Sequence, residues 1–262
     1  MSNKTVLSRQ TVLITGASSG IGASVAKRLA AEGCRLILAA RRMAALEHLA
    51  AELRNEYQSI IHCVQLDVRN PLSLDSALSH LPNDVKDIDI LINNAGLALD
   101  LNPLQLSECA DWDTMIDVNI KGLLYITRAL LPKMIERNHG HIVNVGSVAG
   151  HVVYPGGVVY CATKHAVAAI TEGLRLDLFG TAIRVSSIDP GMVKTDFSRV
   201  RFKGDQARAD AVYAGVEALM PDDIADAIAY VLTCPAHINI SQILIMPTAQ
   251  AAAMMVNRTV SS

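Results

Sequence analysis

A short apolar run at 11–15 ends directly in a glycine-rich turn, Thr15-Gly-Ala-Ser-Ser-Gly-Ile-Gly22, and a helical pattern over about 20–32 follows. A strand that passes through glycines into a helix leaves few folds open. Glycine permits a tight turn and lets the backbone approach a pyrophosphate, which then sits on the helix N-terminus. Gly16, Ser18, Ser19, Gly20, Ile21 and Gly22 are the candidate phosphate-binding residues of this turn. Its spacing is G-x-x-x-G-x-G, not G-x-G-x-x-G. No Gly-Lys-Ser/Thr closes it, so it is not a Walker A loop. Any tight strand–helix turn favours glycine, so the rest of the chain decides what this one is for.

The alternation repeats along the chain. Further strands are expected at 35–39, 60–65, 89–92, 141–145, 183–188 and 242–246. Helical patterns occupy about 42–57, 71–80, 112–137 and 158–179, and another opens at Pro221. Strand, helix, strand, helix, strand is the first half of a doubly wound sheet, with helices on both faces. Residues 195–215 read as irregular. Apolar residues make up 51% and aromatics only 4%, a mix suited to helices packed on a buried parallel sheet. No linker, repeat or low-complexity segment divides the 262 residues, so 1–262 is expected to be a single α/β domain.

A net charge of −2 gives no argument for a nucleic acid or an acidic membrane as partner. The five cysteines are scattered with no C-x-x-C, as expected of reduced thiols in the cytoplasm. The N-terminus has no apolar signal core, and no uninterrupted apolar run reaches membrane-spanning length. The eight histidines, His139 and His141 among them, lack metal-ligand spacing and read as turn or surface residues.

Two places carry chemistry. Nicotinamide enzymes of the NAD type place an acidic residue after the second strand, on the ribose 2′-hydroxyl. Here Ala39-Ala40-Arg41-Arg42 stands there. A carboxylate repels a 2′-phosphate and a guanidinium grips one, so Arg41 and Arg42 point to NADP(H). Further on, Tyr160 and Lys164 are four apart, hence on one face of a helix. An ammonium beside a phenol favours the phenolate and tunes it for proton transfer. Ser147 lies upstream as a hydroxyl donor.

With these residues in order, the chain resembles the short-chain dehydrogenase/reductase family. The set is TGASSGIG at 15–22, Asp67-Val68, NNAG at 93–96, Asn119, Ser147, Tyr160-x-x-x-Lys164 and Pro190-Gly191. The resemblance implies a Rossmann-type doubly wound parallel sheet of about seven strands. It implies Tyr160 as general acid/base, Lys164 lowering its pKa and holding ribose, Ser147 on the substrate oxygen, and Asn119 fixing a water of the proton relay. Asp67 and Val68 would contact adenine and Asn94 would line the cleft. Pro190, Gly191, Val193 and Thr195 would lie along the nicotinamide and its phosphates.

Further segments are similar to the NADP-dependent 3-hydroxy acid dehydrogenases, which act on substrates such as serine, allo-threonine or 3-hydroxypropionate. They include 91–99, 111–116, 136–141, 200–205 and 235–240. Residues 191–215 are then expected to form a lid and substrate segment, with Arg201 gripping a substrate carboxylate beside Ser147 and Tyr160. Relatives of this kind assemble as dimers or tetramers, and a homotetramer is expected. The alternatives are a broad carbonyl reductase and a non-catalytic NADP-binding regulator; an intact proton relay argues against the regulator.

Overall fold

The computed structural model describes residues 6–259; 1–5 and 260–262 of the expected domain lie outside the described residues. Seven strands form one parallel sheet: β1 Thr11–Thr15, β2 Arg35–Ala40, β3 Ile61–Gln65, β4 Ile90–Asn93, β5 Gly140–Val145, β6 Ile183–Pro190 and β7 Gln242–Ile245. Their order is β3-β2-β1-β4-β5-β6-β7. The chain leaves β1 in one direction and returns as β4 on its other side. That reversal opens a crevice at the carboxyl ends of β1 and β4, where a parallel sheet binds ligands.

Alternation along each strand divides the core between two faces. Val12, Ile14, Leu36, Leu38, Ile90, Ile92, Val143 and Ile188 face one side. There they meet α1 (Gly20–Ala31), α2 (Met43–Tyr57) and α9 (Pro221–Thr233). Leu13, Ile37, Leu91, Ile142 and Val185 face the other, against α3 (Pro71–Ser79) and α5 (Leu123–Arg137). With both faces covered, the central strands β1, β2 and β4 are mostly apolar, as a buried parallel sheet requires. Asn70 caps α3 by accepting the N–H groups of Leu72 and Ser73, and Pro71 fits the first helical position because it needs no N–H partner there.

Three expectations need correction. The helix expected at 112–137 begins at Cys109 and has three parts: α4 (Cys109–Ile116), a π-helical turn (Asp117–Gly122) and α5. A π turn inserts a residue into the helical ladder and often marks a functional position; this one carries Asn119. Residues 195–215 are not irregular. They contain α7 (Phe197–Arg201) and α8 (Gln206–Tyr213), tied to α4 and to the loop before it. The Asp100 N–H donates to the Arg201 carbonyl (2.8 Å), and Lys203 pairs with Asp111 (2.7 Å). Finally, His141 is no surface residue: it is 3% exposed inside β5, with Nε2 2.9 Å from Ser186 Oγ. Among the described residues no helix is long and apolar enough to cross a membrane, and no cluster could hold a metal ion.

Candidate active site

A cleft of about 430 Å³ runs along the carboxyl ends of the central strands. The turn after β1 forms one wall. Gly16 and Gly20 have φ of +65° and +54°, open to glycine and strained for other residues. The Asn94 amide donates to the Thr15 carbonyl (2.9 Å) and the Gly16 carbonyl (3.2 Å), so Asn94 lines the cleft while shaping the turn. Thr15 Oγ1, which sequence reasoning passed over, accepts the N–H groups of Asn94 and Ala95 and donates to Ile92. Gly22 does not reach the cleft. Its Cβ would fall 2.6 Å from Asn94 Nδ2, so it is there for close packing.

The other cofactor candidates line the cleft: Gly16, Ser18, Ser19, Gly20, Ile21, Arg41, Arg42, Asp67, Val68, Asn94, Pro190, Gly191, Val193 and Thr195. Arg42 Nη2 donates to Ser18 Oγ (3.1 Å) and Ser19 Oγ (3.0 Å), which aims its guanidinium across the mouth of the turn. Arg41 is exposed beside it. Asp67 is held by Arg69 at 2.6 Å, and hydrogen bonds from that guanidinium keep its carboxyl below the usual range. A glycine turn with room at the helix N-terminus, two arginines at its mouth and alanine instead of an acid at the end of β2 fit a 2′-phosphorylated dinucleotide.

The far end holds Ser147, Tyr160 and Lys164 together. Tyr160 and Lys164 lie on α6 (Val158–Asp177), both buried. Ser147 caps the short turn after β5, accepting the Ala149 N–H at 3.1 Å, so its own proton is directed to the Tyr160 side of the cleft. Burial pushes the Tyr160 phenol up to about 12, opposed by the Arg201 charge and by a hydrogen bond from Ser147. The expected effect of Lys164 on this phenol is not what the structure displays. Its ammonium donates to the Val145 carbonyl (2.9 Å), and burial lowers it to about 8 against the opposing charge of Asp189.

Asn119 lies behind the lysine, off the cleft wall. Its amide donates to the Leu97 carbonyl (2.8 Å) and Thr163 Oγ1 (3.0 Å), and its Oδ1 accepts the Leu97 N–H (2.9 Å). A Cβ on Gly96 would lie 3.4 Å from that Oδ1 and 3.6 Å from Lys164 Nζ, so glycine keeps the space between the two atoms open.

Of the four cations at 194–203, Lys194 is exposed, Lys203 pairs with Asp111, and Arg199 pairs with Asp196 at the edge of the cleft. Arg201 turns inward. Its guanidinium carbon lies 5.1 Å from the ring centres of both Tyr160 and Phe197, and Nη2 donates to Tyr154 Oη at 3.1 Å. Arg201 Nε and Trp112 Nε1 are buried without hydrogen-bond partners among the described residues. Both side chains line a small pocket of about 20 Å³ on the same side of Tyr160 as Tyr154. Tyr154 and Phe197 carried no sequence signal, because one lies in a loop and the other opens a helix of only five residues, where no periodicity reveals a face.

The sequence model for short chain dehydrogenase matches residues 10–206. An NADP-dependent 3-hydroxy acid dehydrogenase, YdfG, of Escherichia coli K12 is 47% identical over 243 residues, covering 92% of this chain and 96% of that protein. Sulfoacetaldehyde reductase 2 of Chromohalobacter salexigens is 47% identical over 241 residues, covering 92% and 95%. The closed form of a serine dehydrogenase complexed with NADP+ superposes with a TM-score of 0.89 at 46% identity, covering 95% of this chain and all of that one.

Proposed function

The chain belongs to the short-chain dehydrogenase family, and from that premise we propose that it is an NADP(H)-dependent oxidoreductase of small hydroxy acids or the corresponding carbonyls, 3-hydroxy acids above all. When bound, the nicotinamide supplies or accepts the hydride. The protein's part is positioning and proton transfer. Tyr160 donates a proton to the substrate oxygen in reduction and withdraws it in oxidation. Ser147, beside Tyr160, donates to the same oxygen as negative charge develops there. Lys164 holds the ribose, and a water between its ammonium and Asn119 reloads the phenol. Arg41 and Arg42 take the 2′-phosphate, and Asp67 and Val68 border the adenine.

One observation supports the acid substrate. Arg201 is the lid cation that lies against Tyr160, and its Nε has no partner. A guanidinium there, 5.1 Å from the centre of the Tyr160 ring, is placed to meet a substrate carboxylate. Sulfoacetaldehyde also carries an anionic end group, so the name of the reductase that resembles this chain fits the same cation. Oxidation of a 3-hydroxy acid panel by NADP, with NADPH oxidation by matched aldehydes, tests the reading. Arg201→Met is expected to raise KM for charged substrates by about 10-fold or more while sparing an uncharged aldehyde of similar size. Equal damage to both substrates would mean that Arg201 only shapes the lid, and turnover of uncharged carbonyls alone would favour a broad carbonyl reductase. We further infer a homotetramer working in the cytoplasm, with residues 191–215 closing over the substrate.

A further inference from the structure

Asp189 sits at the end of β6, 2% exposed. Burying a carboxylate is costly unless its oxygens are satisfied. Here they are. Ser187 Oγ donates to Oδ1, Gln242 Nε2 donates to Oδ2, and His151 Nε2 lies 2.7 Å from Oδ2. The partners come from three places: β6, the first residue of β7, and the turn that begins at Ser147. This cluster lies directly behind the reacting groups. A Cβ on Gly146 would overlap Asp189 Oδ1. Gly146 joins Val145, whose carbonyl receives the Lys164 ammonium, to Ser147. The carboxylate therefore backs the stretch of chain that anchors the lysine.

We propose that Asp189 is a positioning residue for Lys164: clamped by Ser187, Gln242 and His151 behind Gly146, its carboxylate is the buried counter-charge that keeps the ammonium charged in the cleft. The proposal rests on Lys164 working on bound cofactor as proposed above. Other charged or titratable groups stand around the lysine. Tyr160 is one turn earlier on α6, and Arg201 lies over that ring. Asp196 and Arg199, from the segment after β6, line the same cleft. His151 lies on the far side of Asp189. Asp189 is the charge that opposes the effect of burial on Lys164, which lowers the ammonium to about 8. A small change in field there decides whether the lysine is charged.

The test is the dissociation constant of NADPH, read by fluorescence from pH 6 to pH 9, which needs no substrate and no turnover. D189N preserves the shape and removes the charge. Its lysine midpoint is expected to fall by about one pH unit, so NADPH binds about fivefold more weakly at pH 8 and nearly as in the wild type at pH 6. Should D189N not fold, His151→Arg sets a permanent cation against the same carboxylate at a half-exposed position, and the midpoint is expected to move the same way. A pH profile that is unmoved, or weakened equally at every pH, overturns the proposal. If the wild type does not bind NADPH at any pH, the dehydrogenase reading falls too.

Discussion

His141 offers a quantitative test of the core. It is 3% exposed within β5, and burial together with the nearby Arg184 charge lowers its pKa from 6.5 to about 3. The neutral ring is built in; the charged ring is not. Below 6.5 the unfolded chain binds a proton that the folded chain refuses, so stability is complete above that pH and is lost as pH falls towards 3. A tenfold difference in proton affinity between the two states is worth about 1.4 kcal/mol. Between about pH 7 and pH 5 this one histidine should therefore cost about 2 kcal/mol of folding free energy. His141→Gln keeps a polar group near Ser186 Oγ and cannot titrate. The assay is urea unfolding of both proteins at the two pH values and one protein concentration. All other histidines and carboxylates are common to both and cancel in the difference. The wild type should lose about 2 kcal/mol more than the variant on acidification. If the two lose stability in parallel, the ring is hydrated or charged in the fold and the argument fails.

Other expectations concern the site. Tyr160→Phe should fold and bind NADPH but lose about 10²–10⁴-fold in kcat, because only the transferable proton is removed; near-normal turnover in stopped-flow assays would unseat the proton role. Arg42→Ala should weaken NADPH by roughly 10- to 100-fold and leave NADH almost untouched, since charged hydrogen bonds are worth about 1.5–3 kcal/mol; equal losses for both cofactors would place the guanidinium away from the 2′-phosphate. Phe179 is 93% exposed and Leu176 71% at the end of α6, and Met254 and Met255 are 65% and 68% exposed near the C-terminus. Apolar surface of that extent suits a subunit interface. Sedimentation should return four times the chain mass, and a monomer mass at all concentrations would refute it.

The sheet, the glycine turn and the Tyr160–Lys164 pair are legible in the sequence because each is local. A buried strand shows as an apolar run, a helix as a repeat of three to four residues, and a four-residue spacing places two side chains on one face. Arg42 is legible for the same reason: it directly follows a strand whose end the apolar run marks. What the tertiary structure decided are meetings between distant segments. His141 looks like any polar residue in sequence, and only the pairing of β5 with β6 brings it to Ser186. Gly22 fits the pattern of the turn, yet Asn94, from the end of β4, takes the space beside it. The spacing points Lys164 at Tyr160, but its ammonium is drawn to the carbonyl at the end of β5, while Arg201 from beyond β6 takes the place over the ring. Periodicity records which way a side chain leaves its own element. Which partner it meets depends on how far every other element folds back, and that is settled by packing across the whole sheet.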